Sequence, residues 1–450
     1  MNKMKDKAIQ LSDHFNYSRL LRFCLPSIGM MVFISIYGVV DGYFVSNFVG
    51  KTSFAAVNLV MPFNMILGGV GFMIGTGGSA LVAKNLGEKN DEYARRCFSM
   101  MICITIALGV ILSALGIIFA EPVARLLGAT EDMLGESVTY VRVCQIFNIS
   151  FMLQNVFQSF LVTAEQPKLG LGSTIAAGVT NMSLDALFIA GFGWGVAGAA
   201  AATGISQIVG CVIPLIYFLK KDNGGKLCLV KTKLEFRPII NAFANGSSEL
   251  MTNISSSLVS MLYNFQLLSI AGENGVSAYG VLMYIQFIFA AVFIGYSIGT
   301  APIVGYNYGA QNHSELNNML KKSVTLMLGG GVVMLALAQL SAQLLAQIFV
   351  GYDKELFDMT CDAFRLFSFS FVLAGFNIYI SSFFTALNNG AVSAAVSFLR
   401  TLLFQLAAVL VLPIILGLNG IWLSVTVAEV AAFIISLIFL FAKRKKYQYF

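Results

Sequence analysis

Apolar segments long enough to cross a bilayer recur along the whole of this 450-residue chain, and no other feature of the sequence constrains its fold so tightly. We count twelve, over roughly 20–48, 55–82, 96–120, 137–163, 169–191, 195–219, 239–271, 276–305, 322–350, 359–386, 391–416 and 420–442. About 20 apolar residues in a helix cross a hydrocarbon core of roughly 30 Å. Backbone groups in lipid must be satisfied within the structure itself, and for single apolar segments of this length that means helices. Only 11% of the residues are charged, against about 25% in a soluble domain. An all-α, multi-pass membrane protein is therefore expected. The opening stretch Met1–Asn16 is polar, so no cleaved signal peptide is expected.

The loops between segments alternate in charge. One set holds Lys3, Lys5, Lys7, Arg19 and Arg22; Lys84, Lys89, Arg95 and Arg96; Lys168; Lys220, Lys221, Lys226, Lys231, Lys233 and Arg237; Lys321 and Lys322; and Lys443 to Lys446. These are 22 of the 28 Lys and Arg; the alternate loops hold only Lys51, Arg125 and Lys354. Basic loops stay on the cytoplasmic side. Both termini are thus expected in the cytoplasm.

The sequence also repeats itself at an offset of about 222 residues. Gly50 matches Gly272, Gly77 matches Gly299, and Asn85-Leu86-Gly87 matches Asn307-Tyr308-Gly309. Gly195 and Gly198 match Gly417 and Gly420, and Ser159-Phe160 matches Ser382-Phe383 after a one-residue slip. Each half would hold six helices and start on the same side, so the two bundles should be related by a pseudo-twofold axis along the membrane normal. The expected division is 1–220 for the first lobe, 221–238 for a cytoplasmic linker and 239–450 for the second lobe.

Several function classes are disfavoured. Seven Cys show no paired spacing, and two His rule out a His-based metal site. Gly50-Lys51-Thr52 resembles the tail of a phosphate loop, but the required earlier glycine is Val45. No nucleophile, metal cluster or cofactor motif marks an enzyme, and no nucleic-acid partner, metal or cofactor is expected.

The informative residues are charges inside apolar runs. An ionised Asp in hydrocarbon costs at least ~2.5–3.5 kcal/mol, so such residues usually face a bundle interior and act there. Asp185 lies in the fifth segment, and Asn181, four residues earlier, shares its helix face. Asp41 in the first segment and Thr203 in the sixth reach the same outer half of the membrane by residue count. A structural polar contact between helices is the plainer reading of this cluster, and a cation or proton site the sharper one. Neither acid is repeated: Tyr263 stands opposite Asp41, and Ala407 opposite Asp185. Pro26 should bend the first helix, as a fixed kink or a moving hinge. In the second half, Arg400 could pair with Glu249 or Glu429, or Glu249 could serve as a second coupling or substrate acid. Asn253 shares the face of Glu249, and Tyr263, Gln266, Tyr284 and Gln286 could line a cavity for lipophilic cations or could simply pack.

With these residues in hand, the chain resembles the multidrug and toxin extrusion (MATE) family over nearly its whole length. The resemblance rests on the two halves, Pro26 and Asp41, the stretch Gly299-Thr300-Ala301-Pro302-Ile303-Val304-Gly305-Tyr306-Asn307-Tyr308-Gly309-Ala310, Asn181-x-x-x-Asp185 and Thr203. It implies a multidrug antiporter that exports lipophilic, mostly cationic drugs and dyes, with membrane lipids as its surroundings and a monomer as its working unit. Asp41 and Asp185 would be the ion-responsive carboxylates, with Asn181 and Thr203 lending oxygens. The family's polar residue on the fourth helix departs here from its usual pattern, which leaves Gln158 and Asn155 as rival candidates. Two acids close together in a low-dielectric bundle cannot both stay ionised cheaply, which favours H+ over Na+ as the coupling ion. Alternatives are a lipid-linked precursor flippase of the same superfamily and, less supported, a membrane-embedded enzyme.

Overall fold

The computed structural model describes residues 9–221, 225–351 and 353–450. Lys3, Lys5 and Lys7 of the basic N-terminus lie outside the described residues. Among those residues there is no strand; every regular element is helical.

The membrane helices are α1 (Tyr17–Val49), α2 (Thr52–Gly87), α3 (Asp91–Ile118), α4 (Glu131–Thr163), α5 (Pro167–Gly191) and α6 (Gly195–Leu219) in the first half. A short helix, Ala120–Leu126, separates α3 from α4. The second half begins with a helical run, Phe236–Gly309, of 74 residues. At 1.5 Å per residue this would extend about 110 Å, several times the thickness of a bilayer core. Gly272 breaks it, with φ 62° and ψ −152°. It therefore comprises α7 (236–271) and α8 (273–309). Then follow α9 (His313–Val350), α10 (Lys354–Ala386), α11 (Gly390–Leu416) and α12 (Leu418–Tyr447). These are the twelve membrane helices expected, with helix ends running beyond the apolar segments. The apolar run marks hydrocarbon, whereas the helix continues into polar interface: α9 starts at His313, capped by Asn312 accepting from the Glu315 amide at 3.2 Å.

The repeat is visible in the backbone. Left-handed residues occur at Gly50 and Gly272, at Lys89 and Gln311, and at Gly195 and Gly417 (φ 59° and 58°), each pair 222 residues apart. Glu165 and Asn388 form a fourth pair, displaced by the one-residue slip. Helix breaks are thus placed twice by the same local chemistry. The two bundles meet through mated contacts. A Cβ on Gly87 would strike the Tyr306 carbonyl, and one on Gly309 would strike the Lys84 carbonyl. Only glycine lets α2 and α8 approach so closely at the end of the molecule where α1 begins. Asn388 adds a bond across the same junction, donating to the Ala80 carbonyl at 3.3 Å.

Two non-helical stretches lie along equivalent helices. Residues 225–235 run against α3, where the Val230 amide donates to Ser99 Oγ at 2.9 Å. Residues 9–16 run against α9, described further below.

Candidate functional site

The first bundle gathers its polar residues where α1 and α5 leave regular α geometry. α1 widens into a π-turn at Val45–Val49, and α5 does so at Ala186–Gly191, directly after Asp185. Such segments re-aim neighbouring side chains and cluster at functional sites. Asp41, one turn before the first, and Asp185 are both buried, and their carboxyl groups come within hydrogen-bonding reach of each other. Asp41 Oδ1 and both oxygens of Asp185 have no hydrogen-bond donor. Asn181 Nδ2 reaches Thr203 Oγ1 on α6 at 3.4 Å, leaving Asn181 Oδ1 without a donor as well. The structure thus brings together four of the residues singled out from the sequence: Asp41, Asp185, Asn181 and Thr203.

Four buried acceptor oxygens with no donor are an expensive arrangement. An unsatisfied buried polar group costs roughly 1–3 kcal/mol, more when charged. Two facing carboxylates repel unless something positive lies between them. A shared proton converts one oxygen into a donor and removes most of that cost. A small hard cation would do the same through direct oxygen contacts. The geometry suits a site whose occupancy changes, more than a static polar contact.

Gln158 and Asn155 are placed elsewhere. Counting from the α4–α5 turn, Gln158 lies about 8 Å up its helix and Asp185 about 27 Å up its own. Asn155 donates to the Gly68 carbonyl of α2 at 3.4 Å. The α4 residues that face the acids are Tyr140, within electrostatic range of both, and Cys144. Tyr37 on α1 and Tyr284 on α8 also face Asp41. Pro26 is buried near the other end of α1, inside a continuous helix.

The second bundle treats its charges differently. Arg400 Nε donates to both oxygens of Glu429, at 2.8 and 3.1 Å. Asn377 Nδ2 donates to Glu429 Oε2 at 2.7 Å and takes a bond from Ser436 Oγ at 3.2 Å. This is the structural ion pair, with Glu429 as the partner. Glu249 is half-buried, and Asn253 donates to the Glu249 carbonyl at 3.0 Å. Asn253 also faces Gly69 of α2, so this part of α7 lies at the junction of the bundles. Tyr284 lies at the same junction, its hydroxyl 3.6 Å from where a Cβ on Gly42 would be. Gln266 and Gln286 are half-buried. Tyr263 is 2% exposed and stacked on Tyr279, with ring centroids 5.1 Å apart and planes 2° from parallel. A tyrosine ring buried against another satisfies its large apolar area by stacking.

The repeat reappears in a comparison with known families. The family model described as MatE matches residues 26–187 and, separately, residues 250–410. The chain belongs to the MatE family. Among similar proteins, Multidrug export protein MepA of Staphylococcus saprophyticus is 22% identical over 444 residues, covering 98% of each chain. MepA of Staphylococcus aureus strain MSSA476 is 22% identical over 416 residues, covering 92% of this chain and 91% of its own. Among solved structures, one described as an outward-facing MATE family transporter of the MOP superfamily overlays with a TM-score of 0.92. It is 22% identical and covers 98% of this chain and 99% of its own. A MATE protein in complex with MaL6 overlays equally well, at 0.92 with 22% identity and the same coverage. At this identity the overlays establish the fold.

Within this MatE fold, the sequence reading missed Tyr140 and Tyr37 as neighbours of the acids. A usable signal existed for Tyr140. On an α4–α5 hairpin, the residues level with Asp185 are those about 18 positions before the turn, which includes the region of Cys144 and Tyr140.

Proposed function

We propose that this protein is a proton-coupled antiporter that exports lipophilic, mostly cationic compounds by alternating access, with Asp41 and Asp185 as its coupling site. The observation that carries the proposal is the buried, donor-less carboxyl pair in the first bundle. Coupling is a linkage: the pair must bind its ion and the drug with different affinity in the two conformations. Protonation neutralises the pair and removes its attraction for a cation, and deprotonation restores it. Asn181 and Thr203 hold the pair's amide and hydroxyl neighbours in register. Glu249, Asn253 and Tyr284, at the junction of the bundles, supply the acid, amide and aromatic surface that a lipophilic cation prefers. Gln266 and Gln286 are secondary candidates for the same surface.

The moving bodies are residues 1–220 and 239–450, joined by 221–238, with Pro26 as a hinge candidate. The basic loops support a cytoplasmic position for the α1-start end. The protein acts as a monomer in the cytoplasmic membrane. The multidrug export names of its relatives agree with this reading. A lipid-linked precursor flippase is disfavoured, because a diphosphate needs cations. The second-half Arg400 is already bound to Glu429. Sodium is the second reading for the coupling ion, favoured by the free oxygen of Asn181 beside those of Asp185.

Ethidium efflux from proteoliposomes tests the choice. An imposed proton gradient without sodium should drive efflux, and a protonophore should abolish it. Efflux that requires sodium and ignores the proton gradient would overturn the choice of ion.

A further inference from the structure

The segment preceding α1 is polar in composition, yet it is anchored like a core element. Leu11 and Phe15 are both 0% exposed. The Leu11 amide donates to Glu165 Oε1 at 2.8 Å, and Glu165 sits in the α4–α5 turn of the first bundle. The Leu11 carbonyl accepts from Asn307 of α8, in the second bundle, at 3.4 Å. The Phe15 amide donates to Glu315 Oε1 at 3.0 Å, and its carbonyl accepts from Asn318 at 2.9 Å and Lys322 at 2.6 Å, all on α9. His14 Nδ1 lies 2.7 Å from Glu315 Oε2. One short stretch of main chain is therefore bonded to both bundles at the end where α2 and α8 close against each other.

The pseudo-symmetric counterpart shows what is unusual here. Residues 225–235 lie along α3 as residues 9–16 lie along α9. That linker is fixed by a helix at each end, α6 and α7. Within the described residues, the earlier segment is held by α1 at its far end, by its two apolar anchors and by the bonds above. Glu165 ties the two stretches together, since its Oε1 also receives Lys226 Nζ at 3.3 Å. Opening this end of the molecule separates Glu165 from Asn307 and Glu315. Leu11 and Phe15 cannot keep both sets of partners when that happens.

We propose that residues 11–16 are a latch that holds the α1-start ends of the two bundles together and must leave one set of partners in each cycle. Its strength sets the balance between the state closed at this end and the state open at it. The inference rests on the alternating access of the proposed function, but it can be read without drug or ion gradient.

The test is a pulsed electron-resonance distance in the full-length protein in nanodiscs. Spin labels are placed at Lys89 and Gln311, exposed mated turns on opposite bundles, after replacement of the native cysteines. With the latch intact, the short distance of the closed end dominates. Leu11→Ala with Phe15→Ala should raise the population of a longer distance at least threefold. Lys322→Met keeps the packing of the side-chain stem and removes the bond to Phe15 together with the cation–π contact to Tyr17; it should move the distribution the same way by less, and it carries the test if the double variant does not fold. A distribution unchanged by both would overturn the latch. Loss of proton-driven efflux with the distances behaving as stated would instead count against the proposed function alone.

Discussion

The two bundles share one architecture and use their buried charges in opposite ways. In the first, Asp41 and Asp185 face each other with three oxygens lacking donors. In the second, Tyr263 occupies the position matching Asp41 and stacks its uncharged ring on Tyr279. One acid of the second bundle, Glu429, is saturated by Arg400 and Asn377. Both π-turned helices and buried charges occur on each side, since Arg400 lies within the π segment Leu399–Leu403. Burial of charge in a membrane bundle therefore does not by itself mark an ion site. The mark is a charge whose partners are missing, because only such a charge gains from binding something that comes and goes.

The largest expected effect comes from erasing the difference on the first side. Asp41→Asn and Asp185→Asn should each insert and purify normally and lose at least about tenfold of proton-driven ethidium efflux. The amide preserves shape and removes the titrating charge. Wild-type efflux from both variants would end the coupling role of the pair.

Next is the second side, where the cost should fall on stability. Glu429→Gln leaves the half-buried Arg400 beside a neutral group; breaking a fully buried pair costs about 3–5 kcal/mol, and the partial exposure of Arg400 should bring the cost below that. Thermal unfolding in detergent should show a clear fall in midpoint. The paired change Arg400→Met with Glu429→Met should recover most of it, because an apolar pair avoids desolvation altogether. A fall in efflux with no change in stability would make Glu429 a functional acid and dissolve the contrast.

Glu249 gives the smaller transport effect. Glu249→Ala should lower efflux several-fold or change the order of preferred drugs, measured as relative rates for a set of cationic dyes, while proton coupling persists. The smallest is topological. Single cysteines at Lys226 and Lys443 should resist an impermeant external reagent in intact cells, and one at Lys354 should react. External labelling at Lys226 would invert the assignment of sides.

The sequence made the fold readable because hydrocarbon imposes so few solutions. Long apolar runs gave the helices, and Gly50 with Gly272 and Gly195 with Gly417 gave the breaks that reappear as left-handed residues. The acid pair was readable for the same reason: a charge in an apolar run has no bland surface explanation. Three features were not. Whether Arg400 would choose Glu249 or Glu429 depends on helix rotation, which residue counts along an axis do not supply. Tyr263 reads equally well as cavity or core, since an aromatic ring suits both. The strap from Leu11 to Asn16 looks like a solvated terminus, because its two apolar anchors are separated by polar residues whose partners lie some 150 and 300 positions away. Long-range main-chain bonding of that kind leaves no local periodicity.

The most direct test of the account is proton release on drug binding by purified protein in weakly buffered detergent. With ethidium at a concentration that saturates each variant, wild-type protein should release protons on binding, the Asp41→Asn/Asp185→Asn variant should release none, and Glu249→Gln should release as many as the wild type. Release that survives in the double Asp variant, or that disappears in Glu249→Gln alone, would place the coupling site in the second bundle and contradict the account.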